Sequence, residues 1–164
     1  MTATMQKSNI SSTELSQRVA VIKRFKEMLK AQRDRFREYL SALDRQKDAI
    51  LGGTADELIR HVELEEKIVS DIFSIQRVID PLEQMYQSSR TENSIKAAGD
   101  EVKCLKEALD GLKAEAVVRS GQNRELLAKR MAELRSEIKS IKSNAYARRP
   151  FNNNPTPSLV DLKG

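Results

Sequence analysis

The chain has 164 residues, with 29 Lys and Arg against 24 Asp and Glu, one His and one Cys. Six Gly and four Pro are too few for a turn-rich β-sandwich or barrel, and 32% charged residues with 4% aromatic ones point to long helices. One His and one Cys do not make a zinc set, and no run approaches the ~18 apolar residues of a membrane span.

A first helix is predicted over about 12–51. Ser11 and Glu14 have capping-box spacing ahead of it. Apolar residues then fall every seventh position at Leu15, Ile22, Leu29, Phe36, Leu43 and Ile50, widened by Val19, Phe25, Met28, Tyr39 and Leu40. A period of seven held this long argues for a bundle or coiled-coil seam. Gly52-Gly53 ends the helix, with glycine expected in the left-handed conformation.

Thr54 and Glu57 repeat the box spacing and start a second helix, about 55–87, with its stripe at Leu58, Val62, Ile68, Ile72, Ile75, Ile79, Leu82 and Tyr86. So short a turn leaves an antiparallel hairpin. Charge agrees: residues 11–51 carry 10 basic and 6 acidic side chains, residues 55–92 carry 4 and 9. Pro81 sits where the stripe passes without a phase change, so a kink is expected rather than a break.

The third helix is expected over about 92–143, with Ile95, Ala98, Val102, Leu105, Leu109, Leu112 and Ala116 on its seam. The pattern slips near Gly121 and resumes at Leu127, Met131, Leu134, Ile138 and Ile141, which suggests either a stutter within one helix or a hinge between two segments. Residues 1–10 and 144–164 read as disordered ends. The second of these holds Arg148-Arg149-Pro150-Phe151 and a closing apolar cluster, Leu159-Val160-Asp161-Leu162. The expected architecture is therefore all-α: an elongated antiparallel bundle of three long helices over 11–143 with a partner-docking tail.

Chemistry-bearing residues are sparse. Gly52-Gly53 lacks the Lys-Ser or Lys-Thr of a phosphate loop, and there is no Gly-x-Ser-x-Gly elbow. His61, in register with Ile68 and Ile75, reads as a packed rim residue rather than a pH sensor. Cys104 reads as a half-buried small group without a catalytic partner. We expect no enzyme, no metal and no cofactor. The amino terminus shows no secretory leader, and a single thiol suits a reducing compartment, so a cytoplasmic protein is expected. Residues 119–149 hold 9 basic and 3 acidic side chains. That face suits solvent, an acidic protein surface or, without any stacking aromatics, nucleic acid. The stripe from Leu127 to Ile141 either packs inside the bundle or accepts a partner's amphipathic helix.

Several segments resemble the FlgN-type flagellar export chaperones. They are Leu40-Ser41-Ala42-Leu43, Lys47-Asp48-Ala49-Ile50, Gly52-Gly53-Thr54-Ala55-Asp56-Glu57-Leu58 and Glu63-Leu64-Glu65-Glu66-Lys67-Ile68-Val69, with Asn144 and Tyr146 after the last helix and Val160-Asp161-Leu162 at the close. The resemblance implies a cytoplasmic chaperone that binds terminal helices of hook-associated (hook–filament junction) proteins and delivers them to the flagellar export gate in the membrane. It implies neither nucleic-acid binding nor direct membrane insertion. On this expectation Leu127, Met131, Leu134 and Ile138 face cargo, while Tyr146, Phe151, Leu159, Val160 and Leu162 dock. The alternatives are a self-associating coiled-coil scaffold and a basic nucleic-acid-binding protein.

Overall fold

The computed structural model describes residues 11–89 and 96–147. It is all-α, with α1 over Ser12–Gly52, α2 over Ala55–Ser89 and α3 over Lys96–Ala147. Of the two alternatives near Gly121, no hinge divides the third helix: α3 runs unbroken through Gly99, Gly111 and Gly121. One glycine costs only about 1 kcal/mol in a helix interior, which neighbouring good helix formers tolerate. The helix also continues through Asn144–Ala147, residues expected to begin the tail, because no proline intervenes before Pro150.

The turn between α1 and α2 forms as a reciprocal capping box. The Thr54 N–H donates to Glu57 Oε2 at 3.0 Å, and the Glu57 N–H donates to Thr54 Oγ1 at 3.3 Å. The glycines before it are not left-handed, contrary to expectation. Gly53 has φ −88° and ψ 176°, and no described residue has positive φ. Glycine is required there by crowding instead. A Cβ on Gly53 would lie 2.8 Å from the Ala49 carbonyl oxygen and 2.9 Å from its Cα. The box expected at Ser11 is absent, since Ser11 makes no side-chain cap bond and Glu14 pairs with Arg18 one turn on, at 3.2 Å.

Cross-helix bonds fix the directions. Gln32 donates to Gln76 at 2.6 Å and Tyr39 to Glu65 at 3.0 Å, so α1 and α2 are antiparallel. Lys30 pairs with Glu101 at 3.1 Å and Asp44 with Arg119 at 3.0 Å, so α3 is parallel to α1. Glu83 pairs with Lys106 across α2 and α3. The core gathers Ile22, Phe25 and Leu29 from α1, Ile79 and Tyr86 from α2, and Val102, Leu105 and Leu109 from α3. Pro81 sits inside α2, and Ile79 and Tyr86 on either side of it are both buried, so the stripe keeps its phase.

Leu15, Val19 and Val62, expected in the stripes of α1 and α2, are exposed instead. Leu15 is half exposed, because the register that sets Gln32 beside Gln76 carries Leu15 past Ser89, the last residue of α2. Val62 is exposed at the edge of its stripe.

Candidate partner-binding surface

Contacts divide the chain into two units, residues 1–126 and 127–164. In the first, α3 is held by its apolar face: Val102, Leu105, Leu109 and Ala116 are buried. The last buried residue of α3 among those described is polar. Asn123 Nδ2 donates to the Leu43 carbonyl at 2.8 Å and to Gln46 Oε1 at 2.9 Å. Gln46 Nε2 in turn donates to Glu65 at 2.7 Å, so a hydrogen-bonded chain crosses from α3 through α1 to α2.

The second unit, by itself, is the end of α3, and every described residue from Ala128 to Ala147 is exposed. Leu127, Met131, Leu134, Ile138 and Ile141 step by four, three, four and three residues, the spacing of a coiled-coil seam. Leu127 is half-buried, while Met131, Leu134, Ile138 and Ile141 are 47%, 42%, 53% and 66% exposed. At ~1.5 Å per residue the row is about 21 Å long. Five Lys and Arg and two Glu occupy residues 128–147. Tyr146 is also exposed but points off this row, five residues beyond Ile141. Phe151, Leu159, Val160 and Leu162 lie outside the described residues.

A second apolar row on α2, exposed at Ile59, Val62 and Phe73 and half-buried at Val69, contributes only Val62 to the stripe expected from sequence. Ile59, Val62, Val69 and Phe73 share one side of α2, and Glu66, Val69, Ser70, Phe73, Ser74 and Arg77 line an open depression there. These apolar residues step by three, seven and four, with Glu66 in the gap, about a third of a turn away from the Ile68–Ile75–Ile79 stripe.

Two ionisable groups are displaced. Burial pushes the Tyr39 phenol up from its ordinary value, helped by the hydrogen bond and charge of Glu65 and opposed by Ser120 and Arg124. The folded chain thus holds this proton more tightly than the unfolded chain. Stability should be level below about pH 10 and fall as pH rises through the folded value, as the unfolded phenol ionises first. Urea titrations across that range should show a shallower fall in Tyr39→Phe. Hydrogen bonds from Lys26 and Lys30 hold the Glu101 carboxyl below the usual range, in solvent. Among the described residues no group of three His, Cys, Asp or Glu is placed to hold a metal ion, and no helix is long and apolar enough to cross a membrane. Cys104 is exposed rather than half-buried.

An uncharacterized protein of Treponema pallidum (strain Nichols) is 31% identical to this chain over 141 residues, which cover 85% of this chain and 86% of that protein. No family model and no solved structure matches the chain.

Proposed function

The chain belongs to the family of that Treponema protein, and we propose that it is a non-enzymatic, helix-binding chaperone of the flagellar export type. It acts in the cytoplasm, holds an amphipathic terminal helix of a hook-associated protein until export, and hands that subunit to the membrane-bound export gate. One observation carries the reading: an apolar row of coiled-coil spacing, Leu127 to Ile141, stands exposed on a long helix. A cargo helix laid along it would bury an apolar stripe that otherwise drives premature self-assembly. The basic flanks suit an acidic partner. The chaperone-like segments from Leu40 to Val69 lie in the α1–α2 hairpin, and Gly52-Gly53 and the Thr54–Glu57 box form its turn.

The test is co-purification of the chain with hook-associated proteins of its own organism, followed by light scattering on the retained complex. Leu134→Ser combined with Ile138→Ser is expected to weaken a one-to-one complex at least tenfold, since each change removes about 1.5–3 kcal/mol of apolar burial. Helical circular dichroism should barely change, because both side chains are exposed. Recovery of nucleic acid that washes off with salt, in place of a protein complex, would overturn the reading.

A further inference from the structure

We propose that the outward face of α2 docks a basic amphipathic helix of a partner protein. The inference goes beyond the chaperone reading and does not depend on it. One side of α2 is committed to the core and the other is not. Ile68, Ile79 and Tyr86 are buried, whereas Ile59 and Phe73 are more than half exposed, Val62 is exposed and Val69 is half-buried. The last four fall on one side of the helix, and from Ile59 to Phe73 their row is about 21 Å long at ~1.5 Å per residue. Val69 and Phe73 also line an open depression with Glu66 and Arg77. Apolar side chains strung along one face in this way suit a second helix laid over them.

Charge names the chemistry of that helix. Residues 55–73 carry six acidic and two basic side chains. Three of the acids are engaged within the chain. Glu57 closes the capping box with Thr54, Glu65 accepts hydrogen bonds from Tyr39 and Gln46, and Asp71 pairs with Arg35 at 3.4 Å. The other three, Asp56, Glu63 and Glu66, are exposed and make no ion pair among the described residues. At ~3.6 residues per turn Glu66 lies within the apolar row and Glu63 beside it, while both basic residues, Arg60 and Lys67, lie further round the helix. A helix with Lys or Arg along its apolar stripe sets opposite charge against these carboxylates. An acidic helix would meet like charge, and so would the same face of a second copy.

The probes are two synthetic peptides of about three heptads with leucine at both seam positions, one flanked by lysine and the other by glutamate. Fluorescence anisotropy of each labelled peptide reads its binding to the purified full chain. The lysine peptide is expected to bind the wild type, and more weakly as salt rises. Val62→Ala with Phe73→Ala should raise its dissociation constant at least tenfold, with helical circular dichroism unchanged. Leu134→Ser with Ile138→Ser should leave it within about twofold, since those residues belong to the α3 row. In a chain carrying that serine pair, adding Glu63→Lys and Glu66→Lys should weaken the lysine peptide and tighten the glutamate peptide, each at least tenfold. A misfolded chain would not show that gain. A lysine peptide that fails to bind the wild type, or binds the alanine variant equally well, overturns the proposal. So does equal loss in the alanine and serine variants. A peptide-free chain that sediments as a dimer, and as a monomer once Val62 and Phe73 are Ala, would assign the face to a second copy and overturn it too.

Discussion

Replacing Phe25 by Ala is expected to destabilise the chain by about 3–5 kcal/mol, the range for removing a buried aromatic ring and leaving a cavity. Phe25 is fully buried at the centre of the three-helix core. Its ring stacks obliquely on Tyr86, with centroids 5.2 Å apart, and the Lys106 ammonium lies 5.8 Å from its centroid. Truncation therefore removes contacts to α2 and α3 together. For a domain whose total stability is about 5–15 kcal/mol, that is a fifth or more of the margin. A chain of this length should melt on the order of 10 °C lower by circular dichroism. Leu15→Ala is the internal control. Leu15 is 50% exposed, and its loss should fall within about 0.5 kcal/mol. Equal losses at the two positions would mean that the α1 seam extends further towards the amino terminus than the structure places it.

Sequence periodicity treats Leu15 and Ile22 alike, and only the structure separates them. The three helices, their order and the hairpin were legible because long apolar periods and a Thr54–Glu57 box are local signals. Where each seam finds a partner was not legible, since that depends on how far the facing helix runs. The same reason hid the second apolar row on α2: Phe73 looks like any helix residue until the Ile68 and Ile79 side is seen to fill the core. Periodicity alone assigns the slip near Gly121 to a stutter or a hinge. It is an uninterrupted helix whose seam position is taken by Asn123, a polar residue that periodicity counts as a gap. The exposed row from Leu127 to Ile141 was visible as a pattern, yet its exposure was not. The same spacing occurs in the buried row from Val102 to Ala116.

Asn123 carries the second large expected effect. Its amide is the donor that ties α3 to the Leu43 carbonyl and to Gln46, and Gln46 and Tyr39 both bond Glu65 on α2. Asn123→Ala removes both bonds, leaves the Gln46 oxygen without its donor and opens a small void, for an expected loss of about 2–3 kcal/mol in urea titration. Asn123→Leu separates the two contributions. It fills the space with apolar volume, so it should cost clearly less stability than Ala, while still breaking the polar chain. A buried Asn in a seam commonly fixes register at some cost in stability. On that physics the Leu variant should hold its melting temperature better than its alignment. Hydrogen exchange at the α3 amides around residues 116–126 should then be faster in the Leu variant than in the wild type, despite a similar global stability. If exchange there is unchanged, the apolar layers Val102, Leu105, Leu109 and Ala116 set the register alone. If Leu destabilises as much as Ala, the bonds made by Asn123 matter for stability itself, and the layer is structural rather than specifying.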